Sequence, residues 1–398
     1  MVIVMKNLSR KYNTNENLQI LVQLLFILVL SRLFMLVMMA VYNGVMGTDR
    51  SISFLMNEWD AKRYQFIVDN GYTYPLDYDP QANWAFFPMY VIVCAFVKLL
   101  TFWKADTYWV GMAVSNVCIY VAAFAAVKYI RNITKDGTNK DVFLMGFLMF
   151  AAPYTFYCAS MYTEAMFIMF IALFFYFCQR KKFFTAGVMA AFASGTRIVG
   201  CTLVFPMIIE MYRYYQPGKV SWQKIGSWIK HVVKKPVELL SILICPLGTF
   251  SYMAFLRFFC GDVWAFLSVQ IAWREDKYFP VLGVLWKACT GQIEPRYTYM
   301  GWFCIGVFIM YGYMIYRKHY SMGIFGIISL LVPLASHVMS TCRFTIGSFV
   351  IFIGFYDLLV RMRGTTVKNW LRRIIIVGFI VAETVLIFLW YNSDCWLM

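Results

Sequence analysis

Glu58, Trp59, Asp60, Ala61, Lys62, Arg63 and Tyr64 follow one another just after the first long apolar segment. Two carboxylates and two cations at the edge of a hydrocarbon layer are costly to keep, and such groups default to a functional reading. A carboxylate can take the proton of a hydroxyl nucleophile, as general bases do. Arginines hold phosphate oxygens through paired hydrogen bonds and neutralise charge on a leaving group. The other unusual polar residues are Tyr162 and Glu164 in Met-Tyr-Thr-Glu-Ala, Arg197 in Ser-Gly-Thr-Arg-Ile, and His337 with Arg343. A base with several cations at a membrane surface fits transfer of a group from a lipid phosphate to an alcohol.

The elements that must position these residues are apolar. Of 398 residues 61% are hydrophobic and 14% charged, where a soluble domain carries about one quarter charged. The apolar residues gather in runs of roughly 17–24, the length that crosses about 30 Å of hydrocarbon. Spans are expected near 18–42, 84–101, 107–129, 141–158, 162–179, 183–196, 199–212, 237–258, 299–316, 322–336, 344–361 and 373–391. Only helices satisfy their own backbone over such runs in lipid. The expected fold is therefore all-α and polytopic, one integral membrane domain over 1–398, with outer loops at 43–83 and 259–298. The stretch Leu18–Val41 is too long for a signal-peptide core and reads as a retained first span. Eleven cysteines without a CxxC pair read as small buried hydrophobes rather than metal ligands or a disulfide framework. No metal cluster and no cofactor is expected. The net charge of +16 sits in short loops, where it sets orientation and meets anionic lipid. It does not argue for nucleic acid.

Loop charges predict sidedness. Lys6, Arg10 and Lys11, Arg180 to Lys182, Lys219 to Lys235, Arg317 with Lys318, and Arg361 to Arg373 fall on the cytoplasmic side. The connections at 43–83, 153–163, 197, 259–298 and 337–343 then fall outside, and every candidate polar group lies in one of them. Lys128, Arg131, Lys135 and Lys140 also read as cytoplasmic, although three apolar segments precede them. The segment 84–101, with Pro88 near its start, is therefore expected to be re-entrant or interfacial, giving eleven or twelve spans. The glycosylation sequons at Asn7 and Asn132 fall on the cytoplasmic face and are set aside.

Each candidate has a plainer counterpart. Asp60 could cap a helix, Lys62 and Arg63 could snorkel to headgroups, and Glu164 could pair with Arg197 for structure alone. His337 reads more simply as a hydrogen-bonded interfacial histidine. The aromatic residues, 19% of the chain, read mainly as packing and interfacial belts.

The stretches Glu58-Trp-Asp-Ala-Lys-Arg-Tyr-Gln-Phe-Ile, Asn70-Gly-Tyr, Trp84-Ala-Phe-Phe-Pro-Met-Tyr, Met161-Tyr-Thr-Glu-Ala-Met-Phe, Thr196-Arg-Ile-Val-Gly and Cys342-Arg-Phe carry a resemblance. Their order and spacing resemble the PIG-V family, the glycosylphosphatidylinositol mannosyltransferase 2 proteins and their bacterial relatives. That resemblance implies a GT-C glycosyltransferase fold, an inverting reaction and a polyprenyl-phosphate mannose donor. It makes Asp60 the outer-loop aspartate of the GT-C pattern, acting as base or orienting the acceptor. Glu58 and Arg63 stand where eukaryotic members usually carry histidines, which resembles the bacterial branch. A bacterial plasma membrane is implied, or the endoplasmic reticulum if the source is eukaryotic, with the site facing away from the cytoplasm.

The expected function is transfer of mannose from a lipid-phosphate sugar to a hydroxyl of a lipid-linked or cell-surface glycan. Asp60 with Glu58 would act on the acceptor hydroxyl. Arg197, Arg343 and Arg63 would hold the donor phosphate, and Trp59, Tyr162, Glu164 and His337 would line the sugar and acceptor pocket. A transporter or lipid flippase is the alternative from another class, marked by inverted repeats and ionisable residues near mid-bilayer. A glycan ligase using lipid-phosphate donors would share the same fold and site.

Overall fold

The computed structural model describes residues 2–73, 83–133, 139–272, 281–335, 337–394 and 397. Among them every regular element is helical. The protein is an all-α polytopic membrane protein. Four helices among the described residues are long and apolar enough to cross a membrane: Asn15–Met46, Thr107–Ile133, Pro295–Tyr316 and Thr366–Tyr391. The first is the apolar part of a helix that begins at Val2. Val22, Phe26 and Val37 on it, and Val377, Val381 and Val385 on the last, are exposed as lipid-facing side chains would be.

Three expected spans are broken. The stretch 237–258 forms Pro236–Leu243 and Leu247–Cys260, bent by 55°, with Pro246 at the break, where its ring and missing N–H interrupt a helix. The stretch 344–361 forms Thr341–Gly347 and Val350–Arg361, bent by 77°, around Phe349 at φ 61°. The stretch 141–158 is helical only as Asn139–Phe150, and Pro153 then gives way to a 3-10 turn, Thr155–Ala159. Two of these breaks carry candidate residues, because Arg343 lies in the short arm of one and Tyr162 follows another. Residues 74–82 and 273–280, within the two loops expected on the outer face, lie outside the described residues.

Helices Pro88–Leu100, Glu164–Gln179, Phe183–Thr196 and Tyr320–Leu334 are apolar but short. At 13 and 16 residues, the shortest and longest of them rise about 20–24 Å, less than the hydrocarbon core. Glu164–Gln179 is the axis of the bundle, with buried residues all round it, as expected of a helix apolar on every face. Pro88–Leu100 accompanies only the first turns of Thr107–Ile133. The Tyr90 hydroxyl donates to the Gly111 carbonyl at 2.8 Å, and Lys98 Nζ lies 2.6 Å from Thr107 Oγ1.

Polar side chains distinguish the two ends of the bundle. At one end Lys128 donates to Asn17, Arg131 pairs with Glu16, Arg317 and Arg361 meet Asp357, and Arg363 meets Asp141. At the other end lie Asp60, Glu164, Arg197 and Arg343.

A tight crossing positions Arg197. Helices Phe183–Thr196 and Leu247–Cys260 meet at Gly195 and Gly248, where a Cβ on Gly248 would stand 2.2 Å from the Ala191 carbonyl oxygen and 2.3 Å from Gly195 N. Small residues let helix backbones approach this closely. The Gly248 N–H donates to Ser194 Oγ at 3.0 Å, and the Thr249 hydroxyl donates to the Ser194 carbonyl at 2.9 Å. Gly248→Val is expected to force the helices apart at a cost of about 1–3 kcal/mol or more, read as a lower unfolding temperature of the purified protein.

Candidate functional site

Asp60 opens the helix Asp60–Asn70, where a carboxylate is favoured by the helix dipole. Trp59 before it sits at φ 48° and ψ −111°, a backbone region that a bulky residue occupies only when its surroundings hold it there. The Trp59 ring meets Trp390 edge-on at 4.7 Å. The Tyr162 hydroxyl donates to the Glu58 carbonyl, and the Ser160 hydroxyl to the Met56 carbonyl, each at 2.8 Å. The Glu-Trp-Asp turn is thus clamped onto residues 155–162 and the last helix. The Glu58 carboxylate itself pairs with Lys62 one turn on, at 2.6 Å.

From Asp60 a chain of ion pairs runs inward. Arg343 Nη1 lies 2.7 Å from Asp60 Oδ2, and Arg343 Nε lies 3.2 Å from Glu164 Oε1. Arg197 Nη1 reaches the same Glu164 oxygen at 2.7 Å. Each member stands at a helix end or break: Glu164 begins the axial helix, Arg197 caps Phe183–Thr196, and Arg343 lies in the short arm Thr341–Gly347. A carboxylate as deep as Glu164, with 1% of its side chain exposed, must be paired to stay charged, and two guanidiniums do this. Aromatic faces complete the setting. Arg343 lies 5.4 Å from the Tyr162 ring centre, 5.7 Å from Tyr157 and 5.0 Å from Phe344, and Arg197 lies 4.6 Å from Phe344. Cations are attracted to ring faces at such distances.

The chain grades from interior to surface. Asp60 keeps 32% of its side chain exposed, Arg197 17% and Arg343 13%. Two negative and two positive charges compensate one another, and the accessible end is a carboxylate. Glu164 Oε2 has no hydrogen-bond partner among the described residues, so an acceptor remains open inside the site. Burial, with Asp60 beside it, pushes the Tyr64 phenol well above its usual range, so Tyr64 stays protonated next to the cluster.

Of the residues expected from sequence, Asp60, Glu164, Arg197 and Arg343 come together directly, and Trp59, Glu58 and Tyr162 brace them. Arg63 follows Asp60 by three residues, hence on the same helix face, is half-buried, and makes no ion pair among the described residues. His337 takes other contacts: its ring meets Tyr297 at 4.6 Å, and its Nδ1 accepts the Met339 N–H at 2.9 Å.

The sequence reading missed Tyr157, Phe344, Trp390 and Glu383. Glu383 is buried, and its Oε1 accepts the Phe156 N–H at 3.0 Å and the Thr155 hydroxyl at 3.2 Å. It thereby holds the 3-10 turn that carries Tyr157. Arg32 is a second charge within a span, and its Nε donates to Asn116 Oδ1 at 2.7 Å. Beside Glu383 lies an apolar cavity of about 260 Å³ walled by Ile27, Phe34, Phe147, Phe150 and Ile380. A lone charge inside each apolar run was the available signal for both residues.

No family model matches the chain. Over 235 residues it is 22% identical to the GPI alpha-1,6-mannosyltransferase 2 of Rattus norvegicus. The alignment takes in 57% of this chain and 46% of that protein, so the chain spans about half the length of the curated relative it matches. The protein is thus distantly similar to a mannosyltransferase.

Proposed function

We propose that this protein is a membrane glycosyltransferase that moves mannose from a polyprenyl-phosphate mannose to a hydroxyl of a lipid-linked or cell-surface glycan, in the manner of a GT-C enzyme. The observation that carries this reading is the Asp60–Arg343–Glu164–Arg197 chain, which ends in an accessible carboxylate at the bundle end away from Lys128, Arg131 and Arg317. The distant likeness to a mannosyltransferase supports the choice of sugar.

The acceptor oxygen attacks the anomeric carbon, the bond from that carbon to the phosphate oxygen breaks, and polyprenyl phosphate leaves. Asp60 receives or orients the acceptor proton. Arg343 is held by two carboxylates before substrate arrives, so a phosphate that draws it away from Asp60 would free that carboxylate for the hydroxyl. Arg63, on the same face, adds a cation that no carboxylate engages among the described residues. The leaving phosphate gains charge as the bond breaks, and preorganised guanidiniums stabilise charge that develops in a transition state. Glu58, paired with Lys62, holds the loop and borders the acceptor. Trp59, Tyr162 and Glu164 shape the sugar pocket.

The purified protein, reconstituted with radiolabelled polyprenyl-phosphate mannose and a glycolipid acceptor mixture, is expected to move label into the acceptor fraction and release polyprenyl phosphate in equal amount. Label transfer from GDP-mannose alone, with the lipid donor inert, would rule the reading out. Movement of intact labelled lipid across the membrane without sugar transfer would favour a flippase instead.

A further inference from the structure

The helix Trp222–Lys234 stands apart from the site. Ser221 caps it, its hydroxyl oxygen accepting the Lys224 N–H at 3.3 Å. Its apolar residues fall at 222, 225, 228, 229, 232 and 233, the spacing of one helix face. That face is wider than the protein covers. Trp228 and Val232 are buried, with the Trp228 ring 6.0 Å from Tyr212, and His231 beside them lies 4.4 Å from Tyr215. Trp222 at 87%, Ile229 at 49% and Val233 at 62% remain exposed.

Charge along residues 211–237 has one sign. Lys219, Lys224, Lys230, Lys234 and Lys235 belong to it or its flanks, and no Asp or Glu stands between Glu210 and Glu238. Lys224 reaches the Pro217 carbonyl and Lys235 lies 3.7 Å from Glu238, while Lys219, Lys230 and Lys234 have no ion-pair partner among the described residues. The helix is also tethered to the membrane. The next helix, Pro236–Leu243, exposes Val237, Leu240 and Leu243 and begins one of the bent apolar pairs. Exposed apolar surface therefore runs from the basic helix into one that meets lipid. A strongly amphipathic basic helix with Trp and aliphatic residues on its apolar side lies in the interface plane, and its lysines are drawn to anionic headgroups.

We propose that Trp222–Lys234 is an interfacial helix that binds anionic phospholipid at the bundle end opposite the Asp60 chain. Trp222, Ile229 and Val233 enter the acyl boundary, and the lysines contact headgroup phosphates. The proposal goes beyond the catalytic reading and does not depend on it.

Hydrogen exchange on the full chain in nanodiscs tests it, comparing phosphatidylcholine alone with a mixture containing phosphatidylglycerol. Amides of 222–234 are expected to exchange at least about tenfold more slowly in the anionic discs, while those of Thr107–Ile133 stay unchanged. Replacing the five lysines with glutamine should remove the difference between lipids. Ile229→Asp with Val233→Asp should speed exchange in both. Equal exchange of the unsubstituted helix in the two lipids would overturn the proposal, as would slowing that arises only when another protein is added.

Discussion

Asp60→Asn is expected to lower sugar transfer by about 10²–10⁴-fold, the range that general bases contribute, with little change in unfolding temperature. Asparagine has nearly the same shape and can still offer Arg343 a carbonyl oxygen in place of the Asp60 carboxylate oxygen, 2.7 Å away. Arg343 also keeps Glu164 at 3.2 Å, so the interior of the chain stays compensated. What is lost is an anionic oxygen able to receive a proton at the accessible end. The check is a transfer rate measured beside a thermal unfolding curve on the same preparation. Near-normal transfer by a folded Asp60→Asn protein would remove Asp60 from the chemistry, and unfolding of that variant would make it a structural group.

The largest expected effect on stability comes from Arg343→Met. Arg343 bridges Asp60 and Glu164 and faces Tyr157, Tyr162 and Phe344. Methionine fills part of that space but leaves Glu164 with Arg197 alone and takes from Asp60 its ion-pair partner. Removing one partner from a buried pair costs about 3–5 kcal/mol, which should appear as a clear fall in unfolding temperature. Arg343→Lys should be poorer than its charge suggests, because an ammonium cannot span two carboxylates as a planar fork does. Adding Asp60→Asn to Arg343→Met removes the stranded charge and should return part of the stability but none of the transfer. Neighbouring sites in one network couple in this way, and a double-mutant cycle reads the coupling. Strictly additive losses would show that the chain is not one unit.

The carboxylates and arginines of the site were legible because their types are rare in an apolar chain. Loop charges alone placed Asp60, Glu164, Arg197 and Arg343 on one face, and the structure brings those four side chains together. Their pairing order was not legible, because Arg343 lies 283 residues from Asp60 and only the 77° bend turns it inward. Residue types carried no information on the break at Phe349, where hydropathy continues while the backbone changes direction, whereas Pro153 was the available signal for the break after Phe150. His337 looked equivalent to the arginines by sidedness, yet a local bond from Met339 and the Tyr297 ring hold it elsewhere. Glu383 and Arg32 lie within expected spans, where loop charge and sidedness carry no signal for them. The helix Trp222–Lys234 was read as a basic connection because its apolar face is only half its surface and emerges only with helical geometry.

The site itself can be mapped with a polyprenyl-phosphate mannose analogue carrying a photoreactive group beside the phosphate. Crosslinks in the reconstituted protein, located by peptide mass spectrometry, are predicted at residues 58–64 and 341–347. They should fall away when unmodified polyprenyl phosphate competes. Crosslinks confined to the basic end, around 180–182 or 219–235, would place the donor phosphate away from Asp60 and contradict the account.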